Sequence, residues 1–319
     1  MNPMDLIIRR EHRLRLVAGL LVGMLALLAP ERPIAQSASP VDKINAEAAK
    51  ADISVKRLRE NLNMLKGSGG NIVALCGSDG LLLVDAGIAV SRPKIEAALE
   101  SVSRSPLKYL INTHWHWDHT DGNEWMHDRG ATIVAHENAL KRMAVTTRVE
   151  EWNFTFPPWP AGGRPTVTYT KDKTLKFNGE VVELRNYGRG HTDGDTSVYF
   201  RNADVLALGD TWWNGHYPFI DNGVGGGIDG MIVWANASIS LATNKTLIIP
   251  GHGPIGDRAQ LAEFRDMLVT IREAVARLKK EGKTLDAVID ARPTAAFDKK
   301  WGGFVIDGAF FTRLVYAGV

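Results

Sequence analysis

The chain has 319 residues, of which 45% are hydrophobic and 23% charged, with 38 Lys and Arg against 36 Asp and Glu. This composition is that of a globular protein and excludes an intrinsically disordered chain. The net charge of +2 is contained in residues 1–37, so the neutral remainder excludes a basic nucleic-acid binder and gives the body of the protein no attraction to anionic lipid.

The first 37 residues have the organisation of a secretory signal peptide. An Arg-rich stretch precedes an unbroken apolar run from Leu16 to Ala29, and Ala35-Gln36-Ser37 offers the small residues that a signal peptidase needs. The run is shorter than the roughly 20 residues that span a bilayer. We therefore predict an exported protein, periplasmic or secreted, in which residues 1–37 are the signal and residues 38–319 form one domain. An uncleaved membrane anchor is the alternative.

The domain contains a single cysteine, Cys76. It has no internal disulfide and must depend on its hydrophobic core, which the length of the domain allows. Cys76 lies in an apolar run, which indicates a buried small hydrophobe rather than a reactive thiol.

The first half of the domain alternates between apolar runs and helical spacing. In chain order these patterns predict a linker or short helix at residues 37–50, a strand at 53–65, a hairpin of 71–76 and 81–84, a helix at 92–101, strands at 107–111 and 131–135 with a helix between them, and a long loop with exposed aromatics at 151–165.

The second half repeats this alternation. The predicted elements are strands at residues 174–177, 181–185, 197–200 and 205–208, a helix at 229–241, a strand at 247–249, a helix from Asp257 to Lys280, and a partly helical C-terminal segment. Strand pairs and helices alternate in both halves, which predicts a layered α/β protein with mixed β-sheets rather than a doubly wound parallel sheet.

Residues 114–119 read His-Trp-His-Trp-Asp-His. The cluster follows the predicted strand 107–111 and precedes a turn, where side chains from a strand end can converge. Imidazole and carboxylate groups suit Zn²⁺ and other first-row ions. His114 and His116 share one face of an extended chain, whereas Asp118 and His119 come after the strand, so they can address a second ion.

Three further residues follow predicted strands in the same way. His191 opens a His-Thr-Asp-Gly-Asp turn, Asp210 ends a strand, and His252 lies in Pro-Gly-His-Gly. Loops at one edge of a rigid sheet are a common place for a functional site. His127 and His136 lie near predicted helix ends and are interpreted as structural.

Together these motifs resemble the metallo-β-lactamase superfamily, from about residue 53 to the C-terminus. The resemblance implies a four-layer αββα sandwich with a two-metal site, usually two Zn²⁺, although another divalent first-row metal would fit. It assigns His114, His116 and His191 to the first ion, and Asp118, His119 and His252 to the second. Asp210 would bridge the two ions. Asp85, in Val84-Asp85-Ala86-Gly87, would orient the ligand loop without touching the metal, or would be an ordinary turn residue.

The resemblance also implies a mechanism. A hydroxide held between two cations would attack a carbonyl or phosphorus centre, and Asp118 would hold the proton of the nucleophile. Export favours a secreted hydrolase of a small-molecule ester, lactone or amide, with β-lactams among the candidate substrates. A glyoxalase II-like thioesterase, a phosphodiesterase or nuclease, and a non-catalytic periplasmic metal-binding protein are the alternatives.

Two departures from the zinc β-lactamase pattern concern the substrate. Asp210 stands where a Cys is usual, and Trp213 stands where a Lys would hold the substrate carboxylate. Aromatic and polar residues beside the ligands are the candidate substrate-binding residues: Trp115, Trp212, Trp213, Asn214, His216 and Tyr217. We expect an apolar cleft with the aromatic loop 151–165 as a lid, and core packing is the alternative for these aromatics.

Overall fold

The computed structural model describes residues 39–67 and 69–319. They belong to one compact unit, Ala38–Val319. The predicted signal segment, residues 1–37, lies outside the described residues. Within the described part of the chain, no helix has both the length and the apolar character needed to cross a membrane.

The first half of the chain builds a seven-stranded sheet with helices on its outer side. Its elements are α1 (Pro40–Lys50), β1 (Ser54–Arg57), β2 (Leu62–Lys66), β3 (Ile72–Gly77), β4 (Gly80–Val84), α2 (Arg92–Val102), β5 (Leu107–Ile111), α3 (Trp117–Thr120), α4 (Asn123–Asp128), β6 (Thr132–His136), α5 (Glu137–Met143), β7 (Thr147–Val149), β8 (Phe154–Phe156) and β9 (Val167–Tyr169). The strand order is β1-β2-β3-β4-β5-β6-β9, and β7 and β8 form a separate two-stranded ribbon.

The second half builds a five-stranded sheet of order β10-β11-β12-β13-β14. Its elements are β10 (Asp172–Phe177), β11 (Glu180–Arg185), β12 (Ser197–Phe200), β13 (Val205–Ala207), α6 (Ile228–Leu241), β14 (Leu247–Ile249), α7 (Arg258–Lys280), α8 (Leu285–Asp290), α9 (Asp298–Trp301) and α10 (Gly308–Gly318). Asp257 accepts a hydrogen bond from Gln260 N–H and caps α7, as its sequence position predicted.

Alternating side chains along the strands place the two sheets face to face. On β3, Val73 and Leu75 belong to the core between the sheets, where they meet Val182 and Val198 of the second sheet. Ile72, on the opposite face, packs with the helices outside the first sheet. A third core covers the outer face of the second sheet beneath α6, α7 and α10, and it continues to α1 and to the aromatic side chains around the histidine motif. Both sheets are mixed, and the architecture is the predicted four-layer αββα sandwich.

Two predicted elements differ from the structure. The stretch 53–65 is a hairpin of β1 and β2 rather than one strand, because the chain turns around residues 58–61. The predicted aromatic loop 151–165 contains β8 and two 3₁₀ turns. Its Trp152, Phe156 and Trp159 are buried in the third core, so the expectation of an exposed aromatic loop was wrong. Burial of large apolar side chains outweighed the turn signals of the flanking Pro and Gly residues.

Candidate metal centre

The motif residues converge because the strands that precede them end at the same edge of the sandwich. In the first sheet β4 and β5 are parallel. In the second sheet β11, β13 and β14 share one direction, since β11 and β13 are each antiparallel to β12 and β13 is parallel to β14. Within each sheet these strands end at one edge, and the two edges adjoin, because the side chains that follow all five strands lie close together. Each of the five segments contributes a charged or imidazole side chain.

Seven side chains form two adjoining groups that could each hold a metal ion. Within each group the potential ligand atoms lie within 4.8 Å of one another. The first group is His114, His116, His191 and Asp210, and the second is Asp118, His119 and His252. Six of the seven are buried, and the His252 side chain is 11% exposed.

The three histidines of the first group are oriented by hydrogen bonds from their outer nitrogens. His114 Nδ1 lies 3.0 Å from Thr113 Oγ1, His116 Nε2 lies 3.0 Å from Asp221 Oδ2, and His191 Nδ1 lies 2.7 Å from the Phe219 carbonyl oxygen. Each outer N–H donates to its oxygen partner, which leaves the inner nitrogen as a lone-pair donor. Two of these inner nitrogens, His191 Nε2 and His116 Nδ1, are 2.8 Å apart.

Asp210 lies between the two groups. Its Oδ2 is 3.8 Å from His114 Nε2 and 3.6 Å from His191 Nε2. Its Oδ1 is 3.0 Å from His119 Nε2 and 3.4 Å from His252 Nε2. One carboxylate thus faces both sets of histidines, which is the position that a bridging ligand needs.

The chemistry of the donor set fits divalent first-row ions. Imidazole nitrogen and carboxylate oxygen are their usual ligands. Among the described residues, His114 Nε2 is buried and has no hydrogen-bond partner, although buried polar atoms are normally satisfied. Within this part of the chain the residues therefore fit two metal ions, without distinguishing zinc from other ions of its class.

The protonation of the histidines follows from their surroundings. Burial and the neighbouring His116 lower the pKa of His191 to about 4, which keeps it neutral and ready to ligate. For His252, burial would lower the pKa, but Asp210 and Asp118 outweigh burial and raise it to about 9. Asp210 shows the reverse, because His252 and His119 overcome the effect of burial and lower its pKa.

Two glycines near the ligands leave no room for a side chain. A Cβ at Gly251 would collide with Asp210 Oδ1, and a Cβ at Gly70 would lie within the His119 ring. The Pro-Gly-His-Gly sequence thus places glycine where the backbone must pass against the bridging carboxylate.

Asp85 bonds both ends of the segment 113–119, which carries four of the candidate ligands. Its Oδ1 accepts a hydrogen bond from Thr113 N–H at 2.7 Å, and its Oδ2 accepts from Thr113 Oγ1–H and from His119 Nδ1–H, both at 2.8 Å. The residue has a φ of 64°, a conformation that Asp and Asn adopt more readily than most residues. Asp85 therefore fixes the ring of His119 and, through Thr113, the ring of His114.

Replacing Asp85 with Asn should lower metal affinity by about 10–100-fold, the usual effect of removing an outer partner of a metal-binding histidine. Asn keeps the turn, but its amide nitrogen would face the N–H groups that now donate to the carboxylate. Metal affinity measured by competition with a chelator checks this expectation. Asp172→Asn, an exposed site on β10, is the matched control, and equal affinities of the two variants would contradict it.

The predicted substrate-binding residues divide into two sets. Trp115, Trp212 and Tyr217 have no exposed surface and belong to the third core, and Asn214 Nδ2 donates to the Pro254 carbonyl. These four residues are therefore packed within the protein near the site and have little or no surface available to a substrate. Trp213 lines a cavity beside the metal centre, and the His216 ring lies 4.8 Å from the Phe304 ring at its edge.

Sequence reasoning missed several residues that shape the site. Asp221, which holds His116, lies in an irregular segment with no motif or period. Phe304 and α1, which border the cavity, are distant in sequence from every ligand. A larger cavity, about 520 Å³, opens beside Arg104 and Leu107 at the opposite end of β4 and β5, away from the metal centre. His127 and His136 bond backbone atoms and take no part in the centre.

Comparison with known proteins agrees with this geometry. The family model of the metallo-β-lactamase superfamily matches residues 65–252, more than half of the chain. A metallo-β-lactamase type 2 from Bacillus sp. (strain 170) is 27% identical over 244 residues, which cover 73% of this chain and 89% of the relative. A metallo-β-lactamase type 2 from Bacillus cereus is 28% identical over 201 residues, 62% of this chain and 72% of the relative.

Solved structures share the fold. A metallo-β-lactamase from Pontibacter korlensis superposes with a TM-score of 0.55 at 19% identity, over 68% of this chain and 99% of that chain. The stereoselective inverting sec-alkylsulfatase Pisa1 from Pseudomonas sp. gives a TM-score of 0.60 at 17% identity, over 83% of this chain and 50% of that chain. The same fold therefore occurs in proteins named for different bond cleavages.

Proposed function

Since the chain belongs to the metallo-β-lactamase superfamily, we propose that it is an exported, metal-dependent hydrolase of a small-molecule ester, lactone or amide. The observation that carries this proposal is the pair of adjoining clusters with Asp210 facing both. A protein that only bound metal would not need a bridging carboxylate beside an open cavity. Zinc is the proposed ion, because three imidazoles in one cluster suit it well.

The ions, when bound, would supply Lewis-acid polarisation of the substrate and a water-derived nucleophile at neutral pH. The residues of the chain would position this chemistry. His114, His116 and His191 are fixed by their outer hydrogen bonds, so little reorganisation is needed during the reaction.

Asp118 is the proposed proton acceptor. Its side chain is 6% exposed and lines the cavity, while its Oδ2 lies 3.2 Å from His252 Nε2. Burial would raise the pKa of Asp118, but His119 and His252 outweigh burial and lower it. The carboxylate is thus ionised, and it can hold a proton from the nucleophile at the boundary between the cluster and the substrate.

β-Lactams remain candidate substrates because the Bacillus relatives are named metallo-β-lactamases. Among the described residues, no Lys or Arg lines the cavity to hold a substrate carboxylate, and Trp213 occupies the position where zinc β-lactamases usually have a Lys. Esters and lactones need no such anchor, and we favour them.

A substrate screen of the mature protein loaded with Zn²⁺ tests the proposal. The panel comprises p-nitrophenyl esters, lactones, nitrocefin, thioesters and phosphodiesters. We expect hydrolysis of carboxylic esters or lactones that stops when the metal is removed. Metal bound in full with no hydrolysis of any of these would favour a metal-binding protein. Turnover confined to thioesters or phosphodiesters would support one of the alternative hydrolases.

A further inference from the structure

A cavity of about 260 Å³ adjoins the metal centre, with Asp118 and His252 in its lining. We call it the apolar cavity, because most of its wall consists of Ile44, Ala48, Trp152, Trp213, Phe304 and Val305. Its volume is slightly below that of typical small-molecule sites, about 300–1,000 Å³. Because Asp118 and His252 line the cavity, a small substrate bound next to them would extend into it.

One wall of the apolar cavity is α1, and this helix is firmly attached. Ser91 Oγ–H donates to the Ala48 carbonyl at 3.0 Å, and Trp117 Nε1–H donates to Asn45 Oδ1 at 3.0 Å. Lys94 Nζ donates to the Ala51 carbonyl at 2.7 Å, at the C-terminus of the helix. These bonds give the cavity a preformed wall, which reduces the entropy lost when a ligand binds.

The other wall contains an exposed aromatic side chain. Phe304 is 48% exposed and its neighbour Val305 is 43% exposed, although Trp301 and Ile306 on either side are buried. The Phe304 ring lies 5.9 Å from the Trp213 ring and 6.3 Å from the His252 ring, between centroids. An exposed Phe next to ligand groups has apolar surface available for a bound molecule.

The charges of the apolar cavity disfavour an anion beyond the metal ions. Its acidic lining side chains, within the described part of the chain, are Glu47 and Asp118. No Lys or Arg lines it, and the imidazole in its lining, His252, belongs to the second metal cluster. Lys66 precedes the lining residue Gly67 but is not itself part of the lining. Glu47 is exposed at the side of α1, where it would repel a carboxylate at the far end of a substrate.

We propose that the apolar cavity binds the uncharged, apolar acyl group of an ester or lactone substrate, and that Phe304 determines specificity for this group. The inference rests on the proposed function, since it narrows the substrate class of the same site. The proposed binding mode disfavours substrates whose acyl group ends in a carboxylate.

The first test measures binding without turnover. N-phenyl-1-naphthylamine, an uncharged apolar fluorophore, is titrated into the zinc-loaded protein and into three variants. Phe304→Ala should weaken binding at least fivefold and Phe304→Leu less, because Leu keeps apolar surface. Val233→Ala, which truncates a 52% exposed side chain elsewhere, should leave binding unchanged. Equal affinities for wild type and Phe304→Ala would overturn the proposal even if no ester is hydrolysed.

The second test compares matched substrates, p-nitrophenyl hexanoate and the mono-p-nitrophenyl ester of adipic acid, in which a carboxylate replaces the terminal methyl group. We expect wild type to have a higher kcat/KM for the hexanoate than for the adipate ester. Phe304→Ala should lower kcat/KM for the hexanoate about tenfold, with little change for p-nitrophenyl acetate, whose short acyl group serves as the control. Glu47→Gln should raise kcat/KM for the adipate ester about two- to fivefold, as expected for one exposed charge. Preference for the adipate ester in the wild type would refute the inference. Absence of any ester turnover, with probe binding as predicted, would refute only the proposed function.

Discussion

Replacing His116 with Ala should lower kcat/KM by more than about a hundredfold. The removal of an outer partner of a metal ligand costs about 10–100-fold, and the ligand itself must contribute more. His116 Nδ1 lies 2.8 Å from His191 Nε2, and its other nitrogen bonds Asp221. The variant thus loses a ligand and leaves a buried carboxylate unpaired. Kinetics on the substrate identified by the screen, together with the bound metal per chain, measure the effect.

The matched control for His116→Ala is His127→Ala. His127 is partly buried on α4, and its Nδ1 bonds the Ala131 carbonyl. Its replacement therefore removes a local hydrogen bond and leaves both groups of candidate ligands intact. We expect near wild-type metal content and turnover. If His116→Ala retained both, the first cluster would not be the site of the reaction.

Removal of the metal should lower the melting temperature by about 8–16 °C. An ion that binds the folded state at about 1,000 times its dissociation constant stabilises it by about 4 kcal/mol, and about 1 kcal/mol shifts the melting temperature of a domain of this size by about 2–4 °C. The cause lies in the buried ligands. Without an ion, His114, His119 and His191 face one another, with ring centroids of His114 4.4 Å from His119 and 4.7 Å from His191.

The measurement is thermal unfolding of zinc-loaded protein, of protein treated with a chelator, and of the treated protein after zinc is restored. Recovery of the melting temperature separates metal loss from damage by the chelator. The same series on His116→Ala should show a much smaller shift. An unchanged melting temperature after complete removal of zinc would mean that the clusters do not hold metal in the folded protein.

The structure brings the predicted ligand residues together, and the sequence signal for this was that each motif follows an apolar strand. Parallel neighbours in one sheet end at the same edge, so Asp210 after β13 and His252 after β14 lie close together whatever the loops do. The layered α/β fold followed from the same alternation. The two groups of ligand residues, first assigned by family resemblance, coincide with the clusters seen in the structure.

The surroundings of the site could not be predicted in this way. Asp221, α1 and Phe304 reach the metal centre through tertiary packing, and periodicity or spacing gives no signal for such contacts. The burial of the aromatic residues in the stretch 151–165 could not be predicted from the local sequence either. Trp152 and Trp159 stood in a stretch rich in Pro and Gly, yet both side chains are buried. Trp is mostly buried wherever it occurs, and here that tendency was stronger than the local turn signal.

The most direct measurement is a zinc titration of the metal-free protein that follows bound metal and turnover together. We predict that the chain takes up two ions, because Asp210 faces two adjoining groups of candidate ligands. Turnover should be absent at the start, increase with added zinc and reach its maximum when both clusters are filled. Full turnover by the metal-free protein, or zinc uptake without any turnover of the screened substrates, would contradict the assignment as a metal-dependent hydrolase.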